Sequence, residues 1–303
     1  MSETVSPVRA SLPSWLKVKL PQGDNFRRIK AISERRNLHT VCEEARCPNI
    51  AECWGGGTAT FMVMGDACTR GCRFCSVASQ ARPAALDPAE PQHLAETLCD
   101  MRLEYAVITT VCRDDMPDQG ASHLAKCIRA VKSRCPNLRL EILLQDFRGE
   151  KEPLKTVIAA KPDILAHNLE TIERLTGSVR DARAGYKQSL EVLRRCRILS
   201  PGTPTKSSLM LGLGETEDEI IQVFKDLRRA QVDILTLGQY LRPTLSAHHL
   251  PVREFISPQK FDDYGRMARE IGFLYVASGP FVRSSYRAGE LFLKGLFQTQ
   301  NAS

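Results

Sequence analysis

The chain has 303 residues, 43% hydrophobic and 25% charged, which is enough apolar material for one large core or two small ones. No stretch has the length and apolarity of a membrane-spanning helix, so a helical integral membrane protein is excluded. The formal net charge of +7 invites a nucleic-acid reading, yet the basic cluster Arg27, Arg28, Lys30, Arg35 and Arg36 has no interleaved aromatics or recognised motif. It reads as a solvated helix face, able at most to steer an acidic protein partner.

Met1 to Leu20 carries Glu3 early and no long apolar or Arg-rich amphipathic stretch, so a cytoplasmic, reducing location is expected. Cys42, Cys47 and Cys53 follow, with four and then five residues between them. The apolar run Thr58 to Gly65 reads as a strand and leads directly into Cys68-Thr69-Arg70-Gly71-Cys72-Arg73-Phe74-Cys75. Three thiolates at that spacing suit three corners of a cubane iron-sulfur cluster and leave its fourth iron open to a substrate or cofactor. Two triads imply two clusters. Zinc fits less well, because neither triad has a nearby His pair, and 11 cysteines form an odd number that argues against a disulfide framework.

Further strands are expected at Tyr105 to Val111, Leu138 to Gln145, Pro162 to Ala166, Pro204 to Leu211, Val232 to Gln239 and Gly272 to Ala277. Helical patterns occupy Pro91 to Leu103, Ala121 to Cys135, Tyr186 to Arg197 and Thr216 to Gln231, the last opened by a Thr216/Glu219 capping box. Cys127 and Cys135 fall on an apolar helical stripe and read as small core hydrophobes, and Cys99 and Cys196 have no partner at ligand spacing. Cys112 ends a strand and is expected near the site. Alternating strands and helices imply an α/β fold with a parallel sheet, open or closed as a barrel. In a barrel the catalytic loops follow the strands, where the second triad lies. Residues 1–57 and 280–303 read as extensions to a core of residues 58–279.

The Cys68 to Cys75 motif, with Phe74 before its last cysteine, resembles the radical S-adenosylmethionine superfamily. In that superfamily the cofactor chelates the open iron, and one electron cleaves its sulfonium to a 5'-deoxyadenosyl radical. Resemblance sharpens to the lipoyl synthase family through Trp15 to Pro21, Leu38 to Glu43, Cys47-Pro48-Asn49, Glu52-Cys53-Trp54, Arg113-Asp114-Asp115, His167 to Glu170, Gly238 to Leu241 and Arg283-Ser284-Ser285-Tyr286. The Cys42, Cys47, Cys53 triad is its most specific element.

That resemblance implies a partial (βα)6 TIM-like barrel whose N- and C-terminal extensions carry a second cluster. It implies two 4Fe-4S clusters and S-adenosylmethionine, with two sulfur atoms inserted at C6 and C8 of an octanoyl chain on a carrier lysine. The carriers are lipoyl domains of 2-oxoacid dehydrogenase E2 subunits and the glycine cleavage H protein, an electron donor is required, and neither nucleic acid nor membrane takes part. Cys68, Cys72 and Cys75 would hold the radical-forming cluster. Cys42, Cys47 and Cys53 would hold the sacrificial one together with Ser285, or Ser284 as the alternate, since a hard alkoxide holds soft iron less well than thiolate. Phe74, Arg113, Asn168, Glu170, Lys206 and Ser207 are the expected cofactor contacts, and Gly212 to Glu215 resembles a glycine-rich approach to the adenosyl group. His248 and His249 are expected to form a solvated loop pair.

Overall fold

The structure is a computed structural model that describes residues 13–16, 27, 30–31, 49–55 and 58–285. Cys42, Cys47 and Tyr286 lie outside the described residues. In chain order the first half comprises α1 (Ile50–Gly55), β1 (Thr58–Val63), short strands β2 (Ala67–Cys68) and β3 (Ala78–Ser79), α2 (Glu90–Asp100), β4 (Tyr105–Thr110), α3 (Ala121–Arg134), β5 (Arg139–Leu143) and α4 (Lys151–Ile158). There follow β6 (Ile164–Ala166), α5 (Glu173–Val179), α6 (Tyr186–Leu199), β7 (Thr205–Leu211), α7 (Glu217–Arg229), β8 (Ile234–Gln239), α8 (Pro258–Ile271) and β9 (Tyr275–Ser278).

Seven strands pair in the order β1-β4-β5-β6-β7-β8-β9, every neighbour parallel. Sequential parallel strands, each but the last followed by a helix, make a partial TIM-like barrel of six strand-helix units and a seventh strand, with β1 and β9 at its edges. Parallel strands are covered on both faces, which is why β4 reads as an unbroken apolar run with Tyr105, Ala106, Val107 and Ile108 all buried. The outer face packs on the helices: α3 buries Leu124, Cys127, Ile128 and Val131, and α7 buries Ile220, Val223, Phe224 and Leu227. The Thr216/Glu219 capping box forms as the sequence predicts.

One cysteine expectation fails. Cys99 and Cys135 are joined as a disulfide across 36 residues, with Cα atoms 5.8 Å apart. Consecutive crossover helices of a parallel barrel run the same way, so the C-terminal ends of α2 and α3 lie side by side. Cys127 and Cys196 are buried free thiols, as expected.

Inside the barrel, Tyr105, Val107, Ile164 and Ile234 pack at the N-terminal strand ends. Among them Lys206 Nζ donates to both oxygens of Glu141 at 2.8 Å, and the Tyr105 hydroxyl donates to the same carboxylate. The C-terminal strand ends instead surround a cavity of about 780 Å³.

Candidate functional site

The cavity wall includes Cys68, Cys72 and Cys75. Their loop is tied down on every side. Thr69 donates through its amide and its hydroxyl to the Cys112 carbonyl, both at 2.9 Å. Arg70 reaches inward to Asp114 and Asp146. The Gly71 amide donates to Asp181 at 2.9 Å, and the Arg73 amide to the Val179 carbonyl at 2.9 Å. Amides also point at the sulfurs: Arg70 and Cys112 donate to Cys68 Sγ at 3.4 and 3.3 Å, and Asp181 to Cys72 Sγ at 3.3 Å. Hydrogen bonding from the Cys112 thiol, with these amides, brings the Cys68 thiol down to about 6 against its burial. Burial pushes Cys72 up and Cys75 up to about 12, so those two favour the thiolate only when a cation takes the sulfur.

The donor set suits a cluster better than a single ion. Among the described residues, the ligand atoms that gather within 4.8 Å of one another belong to Glu90, His123 and Cys127, not to the cavity cysteines. A cubane, with its irons at separate corners, takes thiolates further apart than one ion does, and amide donors onto cysteine sulfur suit its charge.

Of the expected cofactor contacts, Phe74, Asn168 and Glu170 line the cavity. Asn168 Oδ1 is buried without a hydrogen-bond partner, and burial pushes the Glu170 carboxyl up. An orphaned acceptor beside a carboxyl reluctant to ionise fits a hydroxyl-bearing ligand. Three other expectations fail on geometry. Arg113 spends its guanidinium on Asp115 at 2.9 Å and on the Met64 carbonyl at 3.3 Å, away from the cavity. Lys206 faces the barrel interior but reaches back to Glu141, and Ser207, one residue on, is turned outward with Oγ accepting from the Leu169 amide at 3.2 Å. The glycine run does not approach the cavity either: Gly212, Leu213 and Gly214 amides all donate to Glu215 Oε2, at 3.0 to 3.1 Å, filling the turn with the chain's own carboxylate.

Arg180 was not singled out by sequence, yet it lines the cavity, is 8% exposed, and donates to Ser189 Oγ at 2.8 Å with no carboxylate within ion-pair distance among the described residues. No local motif marks it; an Arg ten residues after a strand-end Asn-Leu-Glu has no spacing signal. Ser208 and Met210 line the cavity too, and the inward period of β7 through Lys206 points to them. His167, also on the wall, donates from Nδ1 to the Leu144 carbonyl at 2.9 Å, and burial lowers it to about 4, so it stays neutral. Cys112 lines the cavity beside Cys68, as expected of it.

The second triad is represented by Cys53, buried on α1. Near it in sequence, the buried Asn49 side chain donates to the Phe281 carbonyl, joining the N-terminal segment to the Gly279 to Ser285 strap. That strap lies against β8 so closely that a Cβ on Gly238 would stand 1.9 Å from the Val282 carbonyl oxygen. Phe281, Ser284 and Ser285 line the cavity.

Comparison with known proteins agrees with this geometry. Residues 62–227 match the profile of the Radical SAM superfamily, and residues 3–47 match the N-terminal domain of lipoyl synthase. Lipoyl synthase of Myxococcus xanthus is 57% identical over 95% of this chain and 96% of its own length. The mitochondrial lipoyl synthase of Schizosaccharomyces pombe is 50% identical over 98% of this chain and 81% of its own length. Solved structures share the fold at low identity. Methylornithine synthase superposes with a TM-score of 0.54 at 13% identity, covering 91% of this chain and 87% of that one, and the FeFe-hydrogenase maturase HydG from Carboxydothermus hydrogenoformans with 0.55 at 12%, covering 89% and 79%. Motif, barrel, cavity and relatives converge, and the chain belongs to the lipoyl synthase family of the radical SAM superfamily.

Proposed function

We propose that the chain inserts two sulfur atoms at C6 and C8 of an octanoyl group carried on a lysine of a lipoyl domain. The observation that supports this most is that Cys68, Cys72 and Cys75 line the same cavity as Asn168, Glu170 and Ser285. Cys68, Cys72 and Cys75 would hold a 4Fe-4S cluster, which when bound would supply the electron for reductive cleavage of S-adenosylmethionine.

The chain's own residues prepare that event. Arg70, Thr69 and Gly71 fix the cysteine loop, so the three thiolates need little reorganisation to take a cluster. Asn168 and Glu170 bind the hydroxyls of the ribose, and Phe74 adds an apolar contact. Arg180 supplies the cation for the methionine carboxylate in place of Arg113. Met62, Val111, Leu143, Met210 and Phe255 make an apolar wall that receives the acyl chain and keeps water from the reacting carbon. Cys42, Cys47, Cys53 and Ser285 would hold the second cluster, which would supply the sulfur, so residues 1–57 and 280–303 would act as cluster-bearing extensions of the barrel 58–279.

Octanoylated E2 lipoyl domains and the glycine cleavage H protein are the substrates on this reading, with a reducing electron donor, in the cytoplasm. Among the described residues no helix is long and apolar enough to cross a membrane. The test is anaerobic reconstitution followed by reductant, S-adenosylmethionine and an octanoyl-lysyl peptide, with mass spectrometry of the dithiolated product. Replacing Cys68, Cys72 or Cys75 by Ala should abolish 5'-deoxyadenosine formation, whereas replacing Cys42, Cys47 or Cys53 should spare it and stop sulfur insertion. Ser285→Cys should leave radical formation intact and slow insertion; unchanged turnover would move the ligand to Ser284. Lipoyl product from the Cys53→Ala variant would place the sulfur donor elsewhere.

A further inference from the structure

His248 and His249 were expected to share a solvated loop, and only His248 is exposed. His249 is 8% exposed, and both ring nitrogens are engaged. Nε2 lies 2.9 Å from the Cys75 carbonyl oxygen and Nδ1 2.7 Å from Thr244 Oγ1. A carbonyl only accepts, so Nε2 carries a hydrogen and Nδ1 meets the Thr244 hydroxyl.

Two further bonds join the same segments. The Leu250 amide donates to the Arg73 carbonyl at 3.2 Å, and Arg73 Nε donates to the His248 carbonyl at 3.1 Å. Of these three ties, the one from His249 is made by a side chain of the loop that follows β8. That loop is internally braced: Arg242 Nη2 donates to the Ser246 carbonyl at 2.8 Å, and the Tyr240 hydroxyl to the Leu250 carbonyl at 2.8 Å. Its first part, Leu241, Arg242 and Pro243, lines the cavity, as do Cys72, Phe74 and Cys75 of the cysteine loop.

We propose that His249 is a positioning residue that fastens the loop after β8 to the carbonyl of Cys75 and so sets the width of the cavity between these two loops. The inference rests on the reading of the cavity as the S-adenosylmethionine site, and it adds a determinant of cofactor affinity that acts without touching the cofactor. A side chain that spans two loops converts two independent motions into one. Without it the two remaining ties, Leu250 to Arg73 and Arg73 to His248, hold the segments less tightly, and a ligand must order more of both on binding.

The variants are His249→Ala and His249→Gln, since a glutamine amide can again donate to the Cys75 carbonyl. In cluster-free protein, His249→Ala should speed amide hydrogen exchange in residues 73–77 and 246–250, and His249→Gln should restore much of the protection. In reconstituted protein, iron and sulfide content should match wild type. The concentration of S-adenosylmethionine that half-saturates the change in the reduced cluster's electron paramagnetic resonance signal should rise on the order of 5- to 10-fold, as one lost hydrogen bond predicts. The kcat for 5'-deoxyadenosine should change less than KM. Wild-type affinity in His249→Ala, or a His249→Gln variant no better than Ala, overturns the proposal. If His249→Ala does not fold, Thr244→Val, which removes the hydroxyl that meets Nδ1 and also accepts from the Ser246 amide, should show a smaller change in the same direction, and no change there overturns it as well. Wild-type protein that fails to cleave S-adenosylmethionine refutes the functional reading, while the exchange experiment still decides whether His249 couples the two loops.

Discussion

Two hydrogen bonds, of 2.6 and 2.8 Å, join the guanidinium of Arg70 to the carboxylate of Asp146 in the interior beneath the cysteine loop. The same guanidinium takes both oxygens of Asp114 at 2.9 Å through Nε and Nη2. Asp114 follows β4 and Asp146 follows β5, so one cation between Cys68 and Cys72 binds the loop to two strand ends at once.

Asp146→Ala should therefore lower the stability of the cluster-free protein by about 2 to 4 kcal/mol, somewhat less than a fully broken buried pair because Asp114 still serves Arg70. Chemical denaturation gives the value, and iron content after reconstitution should fall with it. A loss under about 0.5 kcal/mol, the scale of a surface substitution, would show that Asp114 alone suffices.

Acid should reveal the same network. Burial pushes the Asp114 and Asp146 carboxyls up, but the bonds from Arg70 outweigh it and hold both below the usual carboxylate range. Groups depressed in the folded state contribute stability that is complete above their unfolded pKa of roughly 4 and is lost as pH falls below it. Melting temperatures of the cluster-free protein should drop between about pH 5 and pH 3, and the drop should be shallower in Asp146→Asn. Equal slopes would assign the acid sensitivity to other carboxylates.

Lys206 gives a prediction that separates the sequence expectation from the structure. Glu141→Ala leaves a buried ammonium unpaired and should cost about 3 to 5 kcal/mol, whereas the double replacement Glu141→Leu with Lys206→Met should recover most of that loss. The double variant, reconstituted, should bind S-adenosylmethionine as wild type does. Isothermal titration showing a large loss of affinity would return Lys206 to the cofactor site.

Gly238→Ala should act on the strap rather than the barrel. The added methyl meets backbone, the Val282 carbonyl, which cannot swing aside as a side chain does, so the strap of residues 280–285 must move. We expect 5'-deoxyadenosine formation to persist and sulfur insertion to fall by at least tenfold, about 1.4 kcal/mol at the transition state. Parallel losses of both would show that the strap also serves the first step.

Replacing Cys99 and Cys135 together by Ser should destabilise the oxidised protein by about 3 to 4 kcal/mol, the chain-entropy expectation for a ring closed across 36 residues. Wild type treated with excess thiol should then unfold at the same denaturant concentration as the double variant. A midpoint unmoved by reductant would show that the two sulfurs are not linked in solution.

How much of this was legible follows from the range of each signal. The seven strands were, because a strand buried on both faces leaves an unbroken apolar run such as Tyr105 to Ile108, and the cysteine loop was, because its three cysteines lie within eight residues. Helix α8 left its start signal in Ser257 and Pro258, but its buried face is Phe261, Tyr264, Gly265 and Ala268, too dilute in apolar bulk to stand out. Pairings over long separations were not legible. Lys206 looked like a cofactor contact because Glu141, 65 residues earlier, is invisible to any local pattern. His249 looked solvated for the same reason, its partner Cys75 lying 174 residues away. Arg113 shows a nearer failure: its partner Asp115 is two residues on, inside the very motif that suggested a ligand role.

The packed layer of Tyr105, Val107, Ile164 and Ile234, with Glu141 and Lys206 locked among them, has a consequence for traffic through the barrel. It stoppers the N-terminal end, so cofactor, acyl chain and spent nucleoside must all come and go on the side of the C-terminal strand ends. Two molecules of cofactor are needed for each carrier on the proposed reaction. The carrier's tethered chain must then withdraw, or stand aside at the threshold, between the first sulfur and the second.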